Sequence, residues 1–95
     1  MGFYKLTHQA RADLKRIWLY GVQVHGEKRA DQYHCDLLER CSMIADQPFM
    51  FQAVDDIRPG YRRSVYGTDC IYYRINNDVV EIMAILGSQS LDNWL

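Results

Sequence analysis

The chain has 95 residues, 48% of them apolar and 24% charged, with a formal charge of −1. That is room for one domain, expected to span 1–95 around a single core, and it is the composition of a folded globular protein rather than a disordered or fibrous one. Near-neutral charge removes the positive field that unaided phosphate binding calls for; no apolar run approaches the roughly 20 residues of a membrane span and no signal-peptide pattern opens the chain, so no membrane contact and a cytoplasmic location are expected.

Phe3 to Leu6 is short and aromatic, which suits a strand, and Thr7 behind it is a helix N-cap. Ala10, Leu14, Ile17, Gly21 and Val24 recur at spacings of three and four, the apolar stripe of a helix that Trp18 and Tyr20 widen. Gly26 breaks it. A second stripe of Ala30, Tyr33, Leu37, Cys41 and Ile44 then runs to Gln47-Pro48, where the residue before proline resists helical geometry. Two helices joined across so short a break fold back as an antiparallel hairpin.

After a variable stretch from Phe49 to Pro59 the period becomes that of strands: Tyr61 to Tyr66, Cys70 to Ile75 and Val79 to Leu86, with a tight turn expected at Asn76-Asn77. With the first strand this gives an α+β domain, a two-helix hairpin packed on an antiparallel sheet of about four strands.

Familiar catalytic patterns are missing: there is no Gly-rich phosphate loop, GxSxG elbow, HExxH or metal-spaced Cys and His cluster, so neither a metal nor a cofactor is expected. His8, His25 and His34 are scattered and read as surface residues, and Asp55-Asp56 reads as polar loop. Cys35 and Cys41, six residues apart on one helix, sit roughly 9 Å apart, beyond the ~7 Å a disulfide spans, so Cys35, Cys41 and Cys70 are expected as thiols. Tyr61, Tyr66, Tyr72 and Tyr73 read as sheet packing. The most specific local feature is Arg58-Pro59-Gly60-Tyr61-Arg62-Arg63. Strand alternation sends Arg62 and Arg63 to opposite faces, one of them toward the helices, and such guanidiniums suit carboxylates of a partner.

Taken in order, Leu6, Ala10, Asp13-Leu14, Ile17-Trp18 and Tyr20, then Gly26, Ala30 and Tyr33, Ile44-Ala45 with Pro48, Gly60-Tyr61-Arg62-Arg63, Ile71-Tyr72-Tyr73-Arg74, Val80-Glu81-Ile82 and Asp92 resemble the ParE toxins of bacterial toxin–antitoxin pairs, in the ParE/RelE superfamily. The resemblance spans nearly the whole chain and rests on order and spacing. It implies the strand, helix hairpin and sheet already reached from periodicity. It also implies a toxin that inhibits DNA gyrase by binding rather than as an enzyme, neutralised in a hetero-oligomer by a ParD-type antitoxin, with promoter DNA reached only through that antitoxin.

On this basis the antitoxin is expected at Leu14, Ile17, Trp18 and Tyr20 of the first helix, with Arg58, Arg62 and Arg63 for acidic side chains, and gyrase at Leu91, Asp92, Trp94 and Leu95 of the tail. Related RelE-type members cleave messenger RNA, and that alternative would rest on Arg62 or Arg63. Where relatives carry Arg-Ile-Leu-His in the last strand, this chain has Ala84-Ile85-Leu86-Gly87, which leaves no acid or base there. A member that binds its antitoxin without being toxic is the remaining alternative.

Overall fold

The computed structural model describes residues 2–87. The element order is β1 (Phe3–Leu6), α1 (His8–His25), α2 (Glu27–Asp46), β2 (Gln52–Ala53), β3 (Tyr61–Tyr66), β4 (Asp69–Asn76) and β5 (Val79–Gly87). Thr7 caps α1 as expected, its hydroxyl oxygen accepting the Ala10 amide at 3.1 Å. Gly26 divides the helices with φ +92°, a conformation that a Cβ would strain. Close packing of the hairpin falls at Gly21, where an added Cβ would lie 3.2 Å from the Ala30 side chain.

The five strands form one sheet in the order β1-β5-β4-β3-β2. It is mixed rather than wholly antiparallel: β1 runs parallel to β5, pairing Phe3 with Val79 and Leu6 with Ile82. The connection between them is long, running through both helices and then β2, β3 and β4, where a tight turn could join only antiparallel strands. The short β2, inside the stretch read as variable, adds the fifth strand by pairing Gln52 with Arg63 and Ala53 with Arg62. The β4–β5 turn is centred on Asn77 and Asp78, at φ 51° and 66°, one residue later than expected. Two successive positive φ values are what a twisted two-residue hairpin requires.

A bulge in β5 shifts the register, with Tyr72 opposite Ala84 but Tyr73 opposite Ile82, so Met83 has no partner of its own. The extra residue lets both Ile82 and Ile85 join Leu14, Ile17, Leu37, Cys41 and Ile44 in the core between helices and sheet. Ala84, Leu86, Tyr72, Tyr61 and Val54 make a second cluster on the other face of the sheet. Arg40 ties α2 to β3, donating to Ser64 Oγ at 3.0 Å and to the Val65 carbonyl at 3.1 Å.

Past Leu6, no strand among the described residues lies beside the outer edge of β5, and side chains take over. Thr7 Oγ1 lies 3.0 Å from the carbonyls of Ile82 and Met83. Asp13 accepts the Ile85 amide at 2.9 Å, and Arg16 donates to the Ile85 carbonyl at 3.0 Å. These bonds satisfy a buried edge that would otherwise lose its hydrogen bonds to water without replacement.

Candidate functional site

A groove of about 520 Å3 runs between α1 and α2, floored by Leu6, Leu14, Trp18 and Leu38. Arg11, Lys15 and His34 flank it. The half-buried Trp18 is held in place by its indole N–H, which donates to Asp31 Oδ1 at 2.7 Å, so the ring is pre-positioned as part of the floor. An apolar trough flanked by Arg11 and Lys15, its one lining carboxylate Asp31 engaged by the indole, suits an amphipathic segment that carries carboxylates.

The four α1 residues expected to meet one partner do not form one surface. Leu14 and Ile17 are only 5% and 8% exposed and belong to the core under the helix. Their stripe is used up in packing against the sheet, although Leu14 reaches the groove floor. Trp18 and Tyr20 diverge, because at 100° per residue two positions place them about 200° apart. Trp18 lines the groove, whereas Tyr20, 64% exposed, lines cavities on the other flank of the helix. Val24, counted in the apolar stripe by its spacing, is 52% exposed on α1.

On that other flank a cavity of about 300 Å3 is floored by Ile17, Gly21 and Ala30 and closed by Tyr33 and the β3–β4 turn. The Tyr33 hydroxyl donates to Asp69 Oδ2 at 2.7 Å and lies 3.1 Å from the Tyr66 carbonyl. Burial, then the hydrogen bond to Asp69, pushes the Tyr33 phenol up to about 12. An adjoining cavity of about 780 Å3 continues past Tyr20, His25 and Val65 to Gly87.

The three arginines likewise separate. Arg62 shares the helix-side face of β3 with Ser64, as alternation requires, and there it donates to the Phe51 carbonyl at 2.7 Å and stacks 5.0 Å from the Phe49 ring. A backbone carbonyl and an aromatic face thus take the place of the carboxylate that a buried guanidinium would otherwise seek, so Arg62 is occupied within the fold. Arg63 points to the opposite face, where hydrogen bonding to Tyr72 favours its charged form. Arg58 lies 5.8 Å from the Tyr61 ring on that same face. The Pro59-Gly60 turn that carries Arg58 is closed by Tyr61 N donating to the Arg58 carbonyl at 3.1 Å, with Gly60 at φ +82°, and Asp55 Oδ1 accepts the Gly60 amide at 2.7 Å. Leu91, Asp92, Trp94 and Leu95 lie outside the described residues.

Cys35, Cys41 and Cys70 are free thiols, and burial pushes Cys41 up to about 12. Among the described residues no group of three or more His, Cys, Asp or Glu could hold a metal ion, and no helix is long and apolar enough to cross a membrane. The divergence of Trp18 and Tyr20 was available to sequence reasoning, since it follows from helical spacing alone. The Asp13–Ile85 pairing was not, because nothing local couples residues so far apart in the chain.

A sequence model described as the ParE toxin of the type II toxin–antitoxin system parDE matches residues 4–91. Toxin ParE1 of Caulobacter vibrioides is 39% identical over 83 residues, which cover 87% of this chain and 85% of the relative. Toxin ParE1 of Mycobacterium tuberculosis is 31% identical over 84 residues, covering 87% and 86%. Among solved structures, a chain described as the chromosomal ParDE TA system from P. aeruginosa superposes with a TM-score of 0.79 at 21% identity, covering 92% of this chain and 96% of that one, a similarity of fold.

Proposed function

The chain belongs to the ParE toxins of type II toxin–antitoxin systems, and from that premise we propose that it inhibits DNA gyrase by binding it and is held inactive by a ParD-type antitoxin. The observation that carries the antitoxin half of this reading is the groove between α1 and α2. An amphipathic helix laid along it would bury its apolar side chains on Leu6, Leu14, Trp18 and Leu38 and set acidic residues against Arg11 and Lys15. Each large apolar side chain so buried contributes about 1.5–3 kcal/mol before the cost of ordering the partner.

Action without catalysis is supported by what the described site lacks. Ala84 and Gly87 at the end of β5 supply neither acid nor base, and Arg62 is committed to the Phe51 carbonyl. Gyrase as the target, and its contact at Leu91, Asp92, Trp94 and Leu95, is supported by the family and by the apolar residues in that tail. A supercoiling assay tests the reading: the purified protein inhibits gyrase and an equimolar ParD-type antitoxin restores supercoiling. Unimpaired supercoiling at concentrations that saturate the antitoxin would refute the gyrase half. Failure of the antitoxin to bind would refute the other half.

A further inference from the structure

The Trp18 groove leaves the opposite flank of α1 unexplained. There Tyr20 stands exposed on the cavity floored by Ile17, Gly21 and Ala30, Val24 is exposed one helical turn further along the same face of α1, and Val65 at the neighbouring rim is 59% exposed. We infer that this flank is a second docking surface, used for gyrase while the Trp18 groove is used for the antitoxin; the inference rests on the gyrase reading above.

Three observations support that occupant. First, about 200° of helix separates Trp18 from Tyr20, so a helix lying in the groove does not cover the cavity. Second, Arg29 and Arg16 stand exposed at the rim, Arg16 within 3.6 Å of Asp13, while the one carboxylate among the lining residues, Asp69, is buried and already accepts the Tyr33 hydroxyl. The rim therefore presents positive charge around an apolar floor, which fits an acidic segment carrying one large apolar anchor. A volume of about 300 Å3 is at the low end of ligand pockets, room for an anchoring side chain rather than a cofactor. Third, Gly87, the last of the described residues, lines the adjoining cavity together with Tyr20, and the residues proposed for gyrase follow it in sequence.

The test compares Tyr20→Ala/Val24→Ser with Trp18→Ala in full-length protein, measuring gyrase supercoiling, antitoxin affinity and growth arrest on induction. Both altered side chains of the double variant are exposed, so its thermal midpoint should match the wild type and serves as the folding control. The expected result is about a tenfold or greater loss of gyrase inhibition with antitoxin affinity within about twofold of wild type, and the reverse pattern for Trp18→Ala. Undiminished gyrase inhibition by the double variant overturns the inference, as does a parallel loss of antitoxin affinity, which would make the flank part of the antitoxin's footprint. If wild-type protein arrests growth but leaves gyrase untouched, the gyrase reading falls, and with it the occupant named here. The growth assay then still decides the surface: relief of arrest by the double variant with antitoxin binding intact upholds a target-facing flank, and persistent arrest removes it. Wild-type protein that does neither overturns both.

Discussion

The Asp13 carboxylate accepts the Ile85 amide at 2.9 Å, joining the second turn of α1 to the last strand across 72 positions of sequence. Asp13 is 3% exposed, and its other oxygen accepts from Gln9 Nε2 at 2.9 Å. Replacing it with alanine leaves the Ile85 amide buried and unpaired, a loss of about 1–3 kcal/mol in urea denaturation. Asp13→Asn retains an acceptor oxygen and should cost clearly less. Equal losses in the two variants would show that charge, not the amide bond, is what matters.

Alkaline pH should unfold the protein earlier than its neutral-pH stability suggests. The Tyr73 hydroxyl donates to the Pro48 carbonyl at 2.7 Å, and burial pushes the phenol from 10.0 up to about 12, as it does for Tyr33. Both phenols bind their protons more tightly folded than unfolded. Their contribution is therefore complete below pH 10 and is lost as pH climbs through the folded values near 12. Urea midpoints taken from about pH 8 to about pH 12 should be flat and then fall, with a shallower fall in Tyr73→Phe. An identical fall in both proteins would remove Tyr73 from the account.

Gly67→Ala should destabilise the cavity wall as well as the turn. Gly67 has φ +57°, and a Cβ there would lie 2.7 Å from the Tyr33 hydroxyl. Left-handed strain costs about 1–2 kcal/mol, and displacing Tyr33 from Asp69 adds a hydrogen bond's worth of about 0.5–1.5 kcal/mol. In a Tyr33→Phe background the second part disappears, so the two substitutions should be less than additive. Full additivity in thermal or urea denaturation would argue against the clash.

Trp18→Ala should weaken the antitoxin by about 2 kcal/mol, close to thirtyfold, measured by calorimetric titration, because a pre-positioned aromatic at the centre of a groove is the usual place for binding energy to concentrate. Asp31→Ala, which frees the indole without removing it, should cost a smaller part of that. Antitoxin affinity untouched by Trp18→Ala would move the antitoxin off the groove.

What the sequence disclosed was local. Thr7, Gly26 and Pro48 each impose a backbone preference on their immediate neighbours, and both helices begin and end within two residues of them. The parallel pairing of β1 with β5 brings together strands separated by both helices and three other strands, which no local pattern signals, and the two-residue β2 is too short to show a period. The Met83 bulge inverts alternation midway along β5, so Ile85 faces the helices where a regular strand would have turned it away. At the candidate site, strand alternation foretold that Arg62 and Arg63 part company. It said nothing of the Phe51 carbonyl that claims Arg62, a contact made through a loop.

Because β1 has β5 as its neighbour, the first residues of the chain wait for the last strand before they have a place. During synthesis the helix hairpin emerges early but finds neither the acceptors for Thr7 nor the Ile85 amide for Asp13 until residues 79–87 have left the ribosome. Contacts this distant in sequence close slowly and late. The folded faces of α1 are therefore not assembled until β5 is in place, and a partner that reads either face meets it only after that strand has paired.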